Sequence, residues 1–113
     1  MENRKFKRYS VEIEAFVLLP HSITMEIKTI NISDGGVFFS TKTPVPLGTE
    51  VLLSFSKARL IKDWVKPGDL EKIKGKICRS DRLGLAVEFA QQQEFSKYLV
   101  IEDNKKLRVL APF

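Results

Sequence analysis

Cysteine and long apolar runs are scarce in this sequence of 113 residues, and each scarcity excludes a class of protein. The single cysteine, Cys78, excludes an internal disulfide and a metal site made only of cysteines. The longest uninterrupted apolar run, Ala15–Leu19, has five residues and is too short to cross a bilayer. No apolar segment follows the charges of residues 1–10, as it would in a secretion signal. We therefore expect a cytoplasmic protein that does not insert into membranes.

Side chains suited to catalysis or metal binding form no recognisable group either. The only histidine, His21, falls in a predicted turn, and no nucleophile is paired with a base in the sequence. Four acidic residues do not have the spacing of an acid pair: Asp81, Glu88, Glu94 and Asp103. We expect neither an enzyme nor a metal site, and no cofactor.

The composition is that of one ordinary globular domain. Hydrophobic residues make up 43% and charged residues 29% of the chain, which is close to the average for soluble domains. The net charge is +5, and residues 1–8 contain four basic residues and one acidic residue. We predict a flexible basic arm over residues 1–8 and a single domain over 9–113. A local basic arm indicates an anionic partner, and a simply solvated basic surface is the alternative.

Alternation of apolar and polar residues predicts six β-strands. Every odd position from Tyr9 to Leu19 is apolar, with Ser10, Glu12 and Glu14 between the first four, so the range Tyr9 to Pro20 fits a half-buried strand. The other strands are marked by Ile23, Met25 and Ile27, by Val37–Ser40, by Val51, Leu53 and Phe55, by Ile73, Gly75 and Ile77, and by Leu85, Val87 and Phe89. A one-residue slip of the pattern near Thr29-Ile30 predicts a β-bulge. Without strand–helix alternation, this order favours an antiparallel barrel or sandwich.

The end of the chain follows a different pattern. Phe95, Tyr98 and Leu99 have the spacing of one helix face, which predicts a terminal helix over about 91–101 that caps an open end of the barrel. Residues 105–113 are compatible with a final short strand or with an ordered tail.

Two short segments carry the residues from which a binding site is predicted. Arg4-Lys5-Phe6-Lys7-Arg8 places two arginines four residues apart in the basic arm. Asn31-Ile32-Ser33-Asp34-Gly35-Gly36 is a polar turn between two apolar runs. Together and in this order, they resemble the bipartite RxxxR and (D/N)xSxxG signature of PilZ domains, which are bacterial receptors for cyclic di-GMP. Softer agreement at Pro46–Thr49 and Gly84–Phe89 extends the resemblance over most of the chain.

The resemblance implies an all-β fold, a six-stranded antiparallel β-barrel with a C-terminal α-helix. It also implies that cyclic di-GMP is bound by Arg4, Arg8, Asn31, Ser33 and Gly36, with Lys5, Lys7 and Gly35 as secondary candidates. Asn31 stands where many members have Asp, so it offers an amide donor and a carbonyl acceptor instead of a carboxylate. The second glycine of the family's late strand is here Ala86.

The chemistry of these side chains suits a dinucleotide with two guanines and two phosphates. An arginine fork matches guanine O6 and N7, and it also stacks on a purine or pairs with phosphate, which lysine does less well. In an extended arm the Cα atoms of Arg4 and Arg8 would lie about 13 Å apart with both side chains on one face. Asn31 and Ser33 also share a parity and are expected to point to one side. Gly36 is expected to let the ligand approach the backbone closely.

The resulting hypothesis is a switch in which residues 1–8 order over cyclic di-GMP and become a surface for a protein effector in trans. One alternative is a PilZ-fold adaptor that binds a protein partner without nucleotide. Another is a small basic barrel that binds single-stranded nucleic acid, with Trp64 and the phenylalanines as stacking surfaces. Most aromatic residues have core parity, so we expect no nucleic-acid partner.

Overall fold

Eight β-strands and one short helix make up the computed structural model, which describes residues 6–56, 61–99 and 109–110. Short 3-10 turns occur at Pro20–Ser22 and Pro67–Leu70. The strands are β1 (Arg8–Ser10), β2 (Glu14–Leu19), β3 (Ile23–Ile32), β4 (Gly36–Ser40), β5 (Glu50–Phe55), β6 (Ile73–Asp81), β7 (Gly84–Phe89) and β8 (Val109–Leu110), and the helix is α1 (Phe95–Tyr98).

Six of these strands form a closed antiparallel ring. The order around it is β2, β5, β6, β7, β4 and β3, and β3 pairs back with β2. The predicted fold, a six-stranded antiparallel β-barrel with a C-terminal helix, is confirmed. β1 and β8 lie outside the ring, since β1 pairs with the end of β3 and β8 pairs with β1. Residues 109–110 are therefore a short strand, one of the two possibilities for the end of the chain.

The interior of the barrel is filled by the apolar face of each strand. In β5 the side chains of Val51, Leu53 and Phe55 are buried, and the intervening residues are partly exposed. Phe95 of α1 is completely buried and packs edge-on against Phe55 at 5.2 Å between ring centroids. The helix thus contributes one large aromatic side chain to the core, where burial of such a residue is worth about 1.5–3 kcal/mol.

The predicted continuous strand from Tyr9 to Pro20 is wrong, because the chain leaves the sheet between β1 and β2. Buried Thr29 of β3 explains the break. Its hydroxyl donates to the Val11 carbonyl and accepts from the Ile13 N–H at 2.9 Å, and its own N–H donates to the Ile13 carbonyl at 3.0 Å. A side chain therefore replaces part of the strand ladder.

The predicted bulge is confirmed, and the structure contains a second one. The register between β3 and β4 shifts between Thr29 and Asn31, so Ile30 is the extra residue. The register between β6 and β7 shifts between Ile77 and Arg79, which makes Cys78 the extra residue there. Both bulges lie in strands that flank the β4–β7 pair.

The helix is shorter than the predicted range of 91–101. It spans only Phe95–Tyr98, because Leu99 adopts an extended conformation and forms an isolated bridge with Ile61. The Lys62 N–H reinforces this junction by donating to the Tyr98 carbonyl at 2.7 Å. Among the described residues, no helix is long and apolar enough to cross a membrane.

Candidate ligand-binding site

The signature turn between β3 and β4 is held together by Ser33. The Ser33 N–H donates to the Gly36 carbonyl at 2.8 Å. The Ser33 hydroxyl accepts from the N–H groups of Gly35 at 3.1 Å and Gly36 at 3.2 Å. Two acceptor positions of this hydroxyl therefore serve the turn itself. Ser33 is also 9% exposed, so its first role in this structure is to shape the backbone on which a ligand would rest.

The two glycines of the turn are required by different neighbours. A Cβ on Gly36 would lie 2.5 Å from the Val87 carbonyl oxygen, so this glycine permits close approach of β4 and β7. A Cβ on Gly35 would lie 2.6 Å from the ring of Phe6. Phe6 is the middle residue of the RxxxR segment. The two signature segments are therefore in direct contact, with the Phe6 ring on the backbone of the turn.

Strand pairing also brings the two segments together. Arg8 is the first residue of β1 and lies opposite Leu110 of β8, while Ser10 lies opposite Asn31. Arg8 was assigned to a flexible arm, but the structure includes it in a strand. The pairing of Arg8 with Leu110 could not be predicted from local sequence, because the two residues are far apart in the chain. Lys7 is exposed just before β1. The predicted site residues Arg4 and Lys5 lie outside the described residues.

Asn31 is buried on the outer side of the sheet. Its neighbour Ile32 belongs to the core, and the alternation of β3 directs Asn31 to the opposite face, directly after the Ile30 bulge. Asn31 is only 4% exposed, yet its side chain makes no hydrogen bond with any described residue. A buried amide without a partner is uncommon in folded proteins, which makes Asn31 a candidate ligand contact.

Asn31 belongs to a line of directly opposed residues across five strands, which we call the outer row. Its members are Ser10 (β1), Asn31 (β3), Phe38 (β4), Ala86 (β7) and Arg79 (β6). Directly opposed residues share one face of a sheet. Phe38 is 7% exposed but is not part of the barrel core, and the Arg79 guanidinium lies 5.2 Å from its ring centroid.

Arg79 is held in this position by Asp81. The Arg79 Nε–H donates to Asp81 Oδ2 at 2.7 Å, and Asp81 Oδ1 accepts from the Leu83 and Gly84 N–H groups in the β6–β7 turn. The hydrogen bond from Arg79, followed by that from Leu83, lowers the pKa of the Asp81 carboxyl below its usual value. The Asp81 carboxyl is therefore charged at neutral pH.

Phe38 and Arg79 were not among the predicted site residues. Phe38 lies in a continuous apolar run, Val37–Phe39, in which parity cannot be read from side-chain type. Arg79 follows the Cys78 bulge, which breaks the alternation of β6. The one available signal was that a charged residue continues an otherwise apolar strand face.

Asp34, in the middle of the signature turn, connects the site with α1. Its Oδ1 accepts from the Ser96 N–H and its Oδ2 from the Ser96 hydroxyl, both at 2.7 Å. The Asp34 carbonyl accepts from the Gln93 N–H at 2.8 Å. A carboxylate at the first turn of a helix satisfies donors that have no partner within the helix. The turn, the arm and the helix thus form one connected region.

This region has the features of a binding site and lacks a metal centre in the part of the chain that the structure describes, where no three His, Cys, Asp or Glu side chains come together. A scan against protein-family models matches residues 2–100 to the PilZ domain. The chain belongs to the PilZ domain family. A search of curated proteins gave no match. PilZ domains are in general ligand-binding receptors rather than enzymes, and the family is known to bind cyclic di-GMP.

Proposed function

We propose that this PilZ domain binds cyclic di-GMP on the outer face of β1, β3 and β4, and that it signals the presence of the ligand to a protein partner. The observation that carries the proposal is the Asn31 amide, which is 4% exposed and makes no hydrogen bond within the described residues. It lies beside β1, where the RxxxR segment ends, and two residues before Ser33 of the turn. One unsatisfied polar group therefore lies in the second half of the signature and beside the strand in which the first half ends.

Guanine is the partner whose chemistry fits this amide. The N1–H and N2–H₂ groups of guanine donate and its O6 accepts, while the Asn31 side chain offers one carbonyl acceptor and two amide donors. Arg4 and Arg8 supply forked donors for guanine or phosphate oxygens. Lys5 and Lys7 are secondary phosphate contacts in this proposal. Ser33 and Gly36 provide the shaped backbone, and Gly35 provides a flat surface beside it.

The proposed switch is the segment that carries Phe6. The ring lies against Gly35, so a ligand resting on the turn must share this surface with Phe6 or displace it. Either change alters the segment around Phe6 directly. In this proposal the rearranged arm is the surface that a protein effector recognises, which is a change of local order driven by ligand contacts.

Calorimetric titration of the purified chain with cyclic di-GMP tests the proposal. We expect saturable binding, weakened at least tenfold by Arg8→Ala and by Asn31→Ala. Lys28→Ala is a matched control, because Lys28 is an exposed basic residue of β3. The absence of heat at about 100 μM ligand in low salt, where a free energy of about −5.5 kcal/mol would suffice for half-saturation, would refute the proposal.

A nucleotide-independent protein adaptor is the second candidate. Phe16 is 44% exposed and Leu18 is 39% exposed, and both lie on the outer face of β2, within the ring of the barrel. An apolar pair of this kind offers a contact for a protein partner. The adaptor hypothesis predicts partner binding that is indifferent to cyclic di-GMP, so a pull-down with and without the dinucleotide distinguishes the two candidates.

A further inference from the structure

Arg79 ends the outer row and extends over the ring that lies next to Asn31. Its guanidinium carbon is 5.2 Å from the centroid of Phe38, and Phe38 is directly opposite Asn31. Between Phe38 and Arg79 lies only Ala86, whose small side chain leaves the space that the arginine crosses. The Phe38 ring, the guanidinium and the unsatisfied amide are therefore neighbours on one face of the barrel.

The guanidinium is held in a defined orientation and is still accessible. Its Nε–H donates to Asp81 Oδ2 at 2.7 Å, and the Arg79 side chain is 40% exposed. A planar guanidinium that rests on an aromatic ring has a second face, which can stack on another planar group. Unstacked nucleic-acid bases are commonly bound in this way, stacked on arginine planes or on aromatic side chains.

We propose that Arg79 stacks on one guanine of bound cyclic di-GMP and is an affinity-determining residue of the site. Asn31 then bonds the edge of that guanine, Arg79 covers its face, and Phe38 supports the guanidinium from below. This inference rests on the proposed function and adds a residue that belongs to neither half of the signature. It also assigns a role to Ala86, because a larger side chain there would separate Arg79 from Phe38.

Three arginine variants separate stacking from simple charge. Arg79→Ala removes both, and we expect cyclic di-GMP to bind at least tenfold more weakly in calorimetry. Arg79→Lys keeps the charge but has no planar group, so it should lose nearly as much affinity. Arg82→Ala is the control, because Arg82 is exposed in the same β6–β7 turn and its removal changes the net charge equally. Its affinity should stay within twofold of the unmodified chain.

Ala86→Val supplies a test that leaves Arg79 unchanged. The added methyl groups occupy the space crossed by the guanidinium, and we expect a loss of affinity of about the same size as for Arg79→Lys. Melting temperatures measured without ligand show that each variant is folded, and if Arg79→Ala is not, the lysine variant decides.

Each contrary result has a separate meaning. If Arg79→Lys bound cyclic di-GMP with the affinity of the unmodified chain, Arg79 would contribute only its charge, and the stacking role would be overturned. Equal affinities for Arg79→Ala and Arg82→Ala would remove Arg79 from the site and leave the proposed function intact. No binding by the unmodified chain would overturn the proposed function, and this inference with it.

Discussion

The buried amide of Asn31 destabilises the free protein instead of stabilising it. A buried polar group without a hydrogen bond costs about 1–3 kcal/mol, and Asn31 is 4% exposed with no partner among the described residues. A carboxylate in the same place would cost more, because burial penalises a charge more strongly than an amide. This explains physically why Asn is well suited to a position where many PilZ domains have Asp.

Replacing Asn31 by leucine should therefore separate stability from binding. We expect Asn31→Leu to retain the stability of the parent chain or to raise it by up to about 1 kcal/mol, because it removes an unsatisfied group at similar volume. Cyclic di-GMP should bind at least tenfold more weakly. Urea denaturation measures the first effect and calorimetry the second.

Thr29→Val is the matched comparison for this variant. Thr29 is also buried in β3, but its hydroxyl has partners on both sides, Val11 and Ile13. We expect this substitution to lower stability by about 1–2 kcal/mol. A similar loss in Asn31→Leu would mean that the Asn31 amide supports the fold, and would contradict its assignment to a ligand.

At the level of strands, the sequence predicted the elements that are defined by one regular alternation of apolar and polar residues. Val51, Leu53 and Phe55 identified β5 because every barrel strand has one face toward the core. The break before β2 was not predictable in the same way, because it depends on Thr29, 16 residues from Ile13 in the chain. The end of α1 likewise depends on a bridge between Leu99 and Ile61.

The site residues likewise divide into those that a local sequence pattern predicts and those that it does not. Asn31, Ser33 and Gly36 were identified from a local motif, because a turn is built from neighbouring residues. The position of Arg79 over Phe38 was not, because it follows from a bulge and from pairing across three strands. Contacts that join distant strands leave no periodic signal in one sequence.

The approach of β4 to β7 should make the two glycines of the turn unequal. We expect Gly36→Ala to destabilise the domain by about 1–3 kcal/mol, because its Cβ meets the Val87 carbonyl and the strands must move apart. Gly35→Ala should cost less than about 1 kcal/mol, because only the Phe6 side chain must move.

Urea denaturation of both variants measures the difference, and Phe6→Ala provides the control. In the Phe6→Ala background, Gly35→Ala should have almost no effect, since the group it meets is gone, whereas Gly36→Ala should remain as damaging as before. Equal effects of the two glycine variants would contradict the assigned contacts.

The stability of the domain should depend on pH through Asp81, which lies at the β6–β7 turn. Arg79 lowers the pKa of Asp81, so the unfolded chain takes up the proton first as the pH falls. The stabilisation by this pair is complete above about pH 4 and is lost as the pH falls through the lowered value of the folded state. We expect Asp81→Asn to melt below the parent chain at pH 7, and the two to converge in acid.

Thermal melts between pH 2.5 and pH 7 measure this convergence. Glu12→Gln is the control, because Glu12 is exposed and outside the β6–β7 turn. The difference in melting temperature between Glu12→Gln and the parent chain should not change with pH in the same way. A difference for Asp81→Asn that grows as the pH falls would have the wrong sign for a carboxyl with a lowered pKa.

Across the whole molecule, one connected region links both ends of the described chain to the signature turn. Phe6 lies on Gly35, β8 pairs with β1, and Asp34 holds Ser96 at the start of α1. A ligand on the turn therefore acts on a surface to which the arm and the helix are both attached. The six-stranded barrel beneath this region is closed.

Binding at such a site should stabilise the entire domain, because the folded state alone presents it. At a cyclic di-GMP concentration of about 100 times the dissociation constant, the added stability is about 2.7 kcal/mol. For a domain of this size we expect the melting temperature to rise by about 10 °C. If Arg8→Ala weakens binding tenfold, its added stability at the same concentration is about 1.4 kcal/mol. Its thermal shift should then be about half that of the parent chain.

The dependence of the thermal shift on ionic strength separates the electrostatic contribution to binding from the other contributions. The protein has a net charge of +5 and the dinucleotide carries two phosphates, so their attraction is screened as salt rises. We expect the thermal shift of the parent chain to fall between 50 mM and 500 mM NaCl. In Arg8→Ala it should fall less, because one of the responsible charges is missing. A salt response identical in both chains would show that Arg8 does not face the phosphates, and its contact would then have to be with a base.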